Sequence, residues 1–477
     1  MRSQHLLGIA LSGVTAVLVA ACSTTVHGKA VSVFDDPFRV AGMAATEGPT
    51  GLRPDAQPPS REVTDTDGGD IDHLAASAIS DIEDYWGEAY LQTFGERFTP
   101  VNDLISWDAN SYDGRFCDQY TYGLINAGFC LEDQTIGWDR GVLMPALLDA
   151  NGEMGVAMVL AHEYGHAIQR QAGLVSRGTQ TLVAEQQADC LSGAYMRWVA
   201  EGHSSRFTLS TGDGLNNVLA SVIAFRDPVL SEGDDLVGVD EHGSAFERVS
   251  AFQFGFTDGP PACAAIDPRE IAQRRGDLPV LLPGDLSGEL AVSEDSVRQM
   301  VDAMNILFEP ANPPQLSFEE KVACSDARPS PPVSFCPATN TITVDMAELA
   351  PLGRQSDDTD SGPLTGDNSA YSILISRYMQ AVQHEGGLVL DNAVAALRTA
   401  CLTGVATTKL SHEVTTPDGN TIMLTAGDVD EAVSGILTNG LAASDVNGES
   451  VPSGFSRIDA FRLGVLSDVD RCVKRFP

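Results

Sequence analysis

The sequence predicts an α+β chain, mostly helical with a small sheet, in which one module is tandemly duplicated. Three observations carry that expectation. Apolar side chains recur at helical intervals over stretches such as DIDHLAASAISDIEDYWGEAYLQTFG (70–95). Residues 115–139 instead alternate and carry aromatics, as one or two strands would. Four blocks of the first half also return, in order, in the second. VLAHEYGHAIQRQAGL (159–174) returns as ILISRYMQAVQHEGGL (373–388), and GFCLEDQTIGWD (128–139) as SFCPATNTITVD (334–345). ADCLSGA (188–194) returns as TACLTGV (399–405), and RVSAFQFG (248–255) as RIDAFRLG (457–464). The offsets are 214, 206, 211 and 209, so only short loop insertions separate the copies.

Taken from the N-terminus, Arg2 precedes an apolar run, Leu6 to Ala21, that ends in small residues. The run is too short for a comfortable membrane span and has the layout of a secretory signal over 1–21. Val19-Ala20-Ala21-Cys22 resembles the bacterial lipobox, which makes Cys22 the expected lipidation site. The mature protein is then expected at the cell membrane, lipid-anchored on its extracytoplasmic side. Residues 22–68 are rich in Gly, Pro, Thr and Asp, lack apolar periodicity and read as a disordered tether. A formal net charge of −37, with lysine only at 29, 321, 409 and 474, argues against nucleic acid as a partner.

The first module is expected over 69–265, with helices at 70–95, 153–172, 181–201 and 212–226 and with Gly173 placed to stop the second of them. A Pro/Gly-rich linker, 266–292, leads to the second module, 293–477. Apart from Cys22 there are eight cysteines, and an even set in an exported protein reads as disulfides. The repeat favours Cys117–Cys130 with Cys324–Cys336 (spacings 13 and 12) and Cys190–Cys263 with Cys401–Cys472 (spacings 73 and 71). Four cysteines per module still allow three connectivities.

The chemistry sits in HEYGH. On a helix, His162 and His166 project from one face, so two imidazole nitrogens can hold one zinc ion. Glu163 beside them can exchange a proton with a metal-activated water. By composition the five-letter pattern arises by chance in about one chain of this length in a hundred, so a third ligand has to decide. LVAEQQADC (182–190) offers one in Glu185, with Asp189 four residues on to hold the free ring N–H of a ligand histidine. Cys190 follows as a staple on that helix.

HEYGH, then Glu185 to Cys190 as ExxAD-Cys, then HGSAFERVSAFQFGF (242–256) and Cys263, resemble the neutral zinc metallopeptidase family, in its actinobacterial lipoprotein form, over roughly 115–265. The resemblance implies a zincin-like module, an HExxH helix plus small sheet. It also implies Zn2+ on His162, His166 and Glu185, with Glu163 as catalytic acid/base and a peptide or protein substrate. Ala167 stands where the family often has a further histidine, and HGS runs into Ala245-Phe246. Two readings of His242 stay open: a catalytic donor that steadies an oxyanion, or a loop histidine satisfied by backbone.

The second module keeps the pattern without the chemistry. His162, Glu163 and His166 fall on Ser376, Arg377 and Gln380, and Glu185 and Asp189 fall on Ala396 and Ala400. The expectation is therefore a lipid-anchored zinc metallopeptidase with a degenerate pseudopeptidase copy. The rival is a non-enzymatic envelope interaction protein in which any zinc is structural.

Overall fold

The computed structural model describes residues 36–112, 114–231, 242–282, 288–319, 324–355 and 364–477. The signal segment 1–21 and Cys22 lie outside the described residues. Every described residue belongs to one compact unit, Phe34–Pro477.

The apolar stripe at 70–95 folds as α1 (Asp70–Phe94), which buries Leu74, Ile79, Ile82, Trp86 and Tyr90 and ends at Gly95 with φ 77°. α2 (Leu143–Ala172) starts ten residues before the expected 153, because a first helical segment leads into the expected one across a kink at Gly152 (φ 73°, ψ −176°). Its second segment is the HEYGH helix, and Gly173 closes it at φ 66°, a left-handed position that glycine occupies without strain. α3 (Thr181–Ala200) and α4 (Asp213–Ala224) follow the expected spans closely. α5 (Ala245–Asp258) begins with a reciprocal cap between Ser244 and Glu247, and α6 (Pro260–Ala264) and α7 (Pro268–Arg275) complete the first half. The second half contains α8 (Glu294–Phe308), α9 (Met346–Leu352), α10 (Asp367–Glu385), α11 (Ala393–Leu410), α12 (Asp428–Thr438), α13 (Gly454–Val465) and α14 (Val469–Arg475). The chain is thus α+β and mostly helical.

Each half has a three-stranded sheet of the same order. Thr135–Asp139 lies parallel to Asp103–Trp107 and antiparallel to Ala127–Cys130. Thr341–Val344 lies parallel to Gln315–Ser317 and antiparallel to Val333–Cys336. The disulfides are Cys117–Cys130, Cys190–Cys263, Cys324–Cys336 and Cys401–Cys472, the pairs the repeat favours. The closest helix crossings also correspond. A Cβ on Gly193 or Gly255 would stand 2.1 Å from Phe252 O or 1.7 Å from Cys190 O, so α3 and α5 meet backbone to backbone. On Gly404 and Gly464 the same atoms would meet Phe461 O at 2.1 Å and Cys401 O at 1.7 Å, where α11 crosses α13.

Three expectations need correction. Residues 36–68 are not a disordered tether. Val40 is fully buried, Thr46 and Thr50 bond Thr211 and Ser210, Leu52 N–H donates to Glu153, and Arg61 pairs with Glu83. Gly51 sits at φ 113°, a conformation that L side chains rarely adopt, which is why glycine occupies it. The partners lie 22 to 165 residues away, which is why local composition reads as a free chain. Nor is 266–292 only a linker. Asp267 caps α7, Ile271 is buried, and Arg274 reaches Gln186 Oε1 and Glu247 O at 2.7 Å each. Lastly, the two halves do not keep separate cores: one continuous apolar cluster runs from Val40 to Phe476. Polar contacts join them as well, Asp430 on α12 accepting from Ala245 N and Phe246 N at the start of α5, 2.9 Å each.

Candidate metal centre

α2 presents His162, Glu163 and His166, and α3 presents Glu185 and Asp189. The two helices approach closely at Gly165, where a Cβ would lie 3.0 Å from Ala188 Cα. This brings His162 Nε2 to 3.1 Å from Glu185 Oε2 and His166 Nε2 to 3.5 Å from Glu185 Oε1. One donor atom from each of the three residues lies within 4.8 Å of the others. Zinc bonds of about 2.1 Å at tetrahedral angles hold their ligand atoms about 3.4 Å apart, so two imidazoles and a carboxylate at these spacings fit one zinc ion.

Both imidazoles are held from behind. His162 Nδ1 lies 2.8 Å from Asp189 Oδ1, and Asp189 is gripped on both oxygens by Arg248 of α5, Nε at 2.8 Å and the terminal nitrogen at 2.7 Å. His166 Nδ1 lies 3.1 Å from Gln169 Oε1, and the Gln169 amide donates to Ala184 O of α3. With Nδ1 of each ring occupied, Nε2 is left for the centre, the arrangement that fixes tautomer and aim in metal sites.

The electrostatics follow from burial against pairing. Burial lowers the His162 pKa, but Asp189 and Glu185 outweigh it and raise it to about 10 in the metal-free protein. Burial pushes the carboxyls of Glu185 and Asp189 up. Both nevertheless end below their ordinary values, Glu185 through the two histidines and Asp189 through Arg248 and His162. Glu163 ends above its own: burial and the neighbouring Glu185 raise it more than His162, His166 and His242 lower it.

The centre opens into a cleft of about 510 Å³ walled by Phe129, Leu131, Leu143, Met158 and Phe225, with Glu163 and His242 at its lining. His242 comes from the segment between α4 and α5 and faces the ligands. Its Nε2 is 3.7 Å from Glu185 Oε2, its Nδ1 is 3.4 Å from Asp227 Oδ1, and its ring centroid is 6.5 Å from that of His162. Asp227 also accepts from the backbone N–H of His242 and Gly243, at 3.0 and 2.8 Å. Burial lowers the His242 pKa, but the Asp227 contact and Glu185 raise it above the ordinary imidazole value. His162, Glu163, His166, Glu185 and His242 thus meet at one cleft, with Asp189 buried behind His162; Cys22 lies outside the described residues. Cys190–Cys263 ties the ligand helix α3 to α6 one residue beyond Asp189.

The sequence does not single out three contributors: Arg248, which lies within the 242–256 block, Asp227 and Gln169. Two left a trace, since Arg248 and Gln169 recur in the second half as Arg457 and Gln383. There Arg457 donates to Ile436 O, Val451 O and Leu437 O instead of to a carboxylate. At the positions matching the metal centre, Arg377 is fully buried and donates to Val333 O, Leu441 O and Ser444 Oγ, while Gln380 donates to Ser444 O.

Among curated proteins the chain is similar to the uncharacterized protein YpfJ of Escherichia coli strain K12, 29% identical over 204 residues that cover 39% of this chain and 67% of that protein. It matches YpfJ of Escherichia coli O6:H1 strain CFT073 to the same extent. No solved structure matches it. The profile of the family described as "Putative neutral zinc metallopeptidase" matches residues 8–266, which extends the roughly 115–265 read from the motifs to include the docked N-terminal segment. That match covers more than half of the 477 residues and contains the whole histidine–carboxylate centre, so the chain belongs to the Putative neutral zinc metallopeptidase family.

Proposed function

We propose that the protein is an exported, lipid-anchored zinc metallopeptidase that hydrolyses peptide bonds with Glu163 as general acid/base. The observation that carries the reading is the convergence of His162 Nε2, His166 Nε2 and a Glu185 oxygen beside Glu163 at the wall of an open cleft. His162, His166 and Glu185 would hold the zinc, which would supply Lewis acidity and acidify a water in the cleft.

The protein's own groups do the rest. Glu163 takes the proton of the attacking water and delivers it to the leaving amine; a carboxyl raised by burial suits a group that must hold a proton in one step and release it in the next. Asp189, locked by Arg248, keeps His162 in one tautomer. His242, held by Asp227, is a donor for the developing oxyanion, and Asp227's effect on its pKa favours the protonated ring that this role needs. The apolar wall excludes water and receives substrate side chains.

Lipidation at Cys22 would tether this unit to the extracytoplasmic face. The second half we read as a degenerate duplicate of the first, supported by the matched sheet orders, disulfide spacings and glycine crossings, with Arg377 at the position of Glu163.

The test is zinc content together with hydrolysis of a mixed peptide library by the wild type and by Glu163→Gln and His166→Ala. About one zinc per chain is expected in the wild type and in Glu163→Gln, with cleavage lost in the latter. His166→Ala should lose the metal. Cleavage retained by Glu163→Gln, or a folded wild type that takes up no zinc, would overturn the reading.

A further inference from the structure

Outside the cleft, α10 and α12 bring three carboxylates together in the interior. Asp367, Asp428 and Glu431 are 4%, 4% and 5% exposed, and one oxygen from each lies within 4.8 Å of the others. Two further groupings of possible ligands, around Cys117–Cys130 and Cys324–Cys336, have their thiols closed in disulfides. We propose that Asp367, Asp428 and Glu431, with the side-chain oxygen of Asn368, form a second metal site, for a hard divalent cation of the calcium type.

The independent pointer is Asn368. It is fully buried and its Oδ1 has no hydrogen-bond partner. Its amide nitrogen donates to Asp428 O and its backbone N–H to Glu431 Oε2 at 2.8 Å, so the amide that bears the orphan oxygen sits beside two of the three acidic residues. A buried acceptor left without a donor is costly, and beside three carboxylates a cation satisfies it and offsets their charge together.

Backbone donors fix the carboxylates in place: Leu290 N–H donates to Asp367 Oδ2, Thr425 N–H to Asp428 Oδ2 and Asn368 N–H to Glu431 Oε2. No lysine, arginine or histidine lies within 4.0 Å of the three among the described residues, although Arg226 feels Glu431 at longer range. Glu289, whose carboxylate accepts from Asp367 N at 3.1 Å, adds to the negative field. Burial and the nearby Glu289 raise the pKa of Asp367 to about 7, and burial with Asp428, Asp367 and Glu289 raises that of Glu431 to about 9.

An all-oxygen set without histidine or cysteine selects calcium-type ions over zinc. The Glu431 carboxylate packs against the glycine before α10: a Cβ on Gly366 would fall 2.0 Å from Glu431 Oε1. The ion would clamp the first turn of α12, whose Asp430 caps α5.

The test uses the full chain, stripped with chelator and reloaded with one equivalent of zinc so that the first centre stays constant. Calcium chloride is then titrated while heat and melting temperature are followed. One calcium per chain is expected, with melting raised by about 3 °C or more at saturation. Asp428→Asn should lose that response while keeping its zinc. No heat and no shift up to about 10 mM calcium in the wild type would overturn the site, as would an unchanged response in Asp428→Asn. If that variant does not fold, the wild-type titration decides by itself. Neither arm depends on peptide cleavage, so the zinc reading and this one fail separately.

Discussion

Asp189→Asn separates two jobs of one buried carboxylate. Asp189 is fully buried, accepts two charge-assisted bonds from Arg248 at 2.7 and 2.8 Å, and sits 2.8 Å from His162 Nδ1. The amide keeps the shape and removes the charge. Arg248, itself 2% exposed, then keeps a guanidinium in the core without its anion, a loss of about 3–5 kcal/mol for a broken buried pair. The metal side should lose less. Removing a carboxylate behind a ligand histidine weakens zinc binding about 10–100-fold, or about 1.4–2.7 kcal/mol. The two losses are read separately, by denaturant unfolding of the metal-free protein and by zinc competition against a chromophoric chelator. A folded variant whose zinc affinity stays within about two-fold of the wild type, below the effect known for such partners, would refute the positioning argument.

Gly255→Ala places a Cβ 1.7 Å from Cys190 O, so α3 and α5 must part, at a cost of about 3 kcal/mol or more with weakened zinc binding; Gly464→Ala should cost as much and leave zinc affinity alone. Denaturant melts and zinc titration of both variants check this. Asp430→Ala removes the acceptor for Ala245 N and Phe246 N and should destabilise by about 1–2 kcal/mol, a direct reading of what the second half does for the helix that bears Arg248. For pH, the raised His162 pKa means that its charged form contributes stability fully below 6.5 and loses it as pH climbs to about 10. The metal-free protein should therefore weaken over that interval while zinc, which competes with the same proton, binds more tightly. Chelator-treated melts that stay flat between those pH values would contradict the ion network.

Local pattern carried much of the outcome. HEYGH lies on a helix because apolar residues flank it at helical spacing and Gly173 ends it. Glu185 and Asp189 share a face because they are four apart, and the cysteine pairs follow from spacings that occur twice. These are properties of a few neighbouring residues, and helical geometry converts spacing into direction without help from the rest of the chain.

What only the tertiary structure decided are the contacts across long separations. Residues 36–68 look like free chain by composition and are ordered by Ser210, Thr211, Glu153 and Glu83. Arg248 reads as one basic residue among many until α5 lays it on Asp189, 59 positions away. His242 could be a loop residue until Asp227 holds it over Glu185. Asp367 of α10 lies 61 and 64 residues before Asp428 and Glu431 of α12, and the three carry no motif. Residue spacing sets the direction of a side chain along its own helix; which helix it meets depends on how the apolar faces of both halves close into one core, and no short stretch of sequence contains that information.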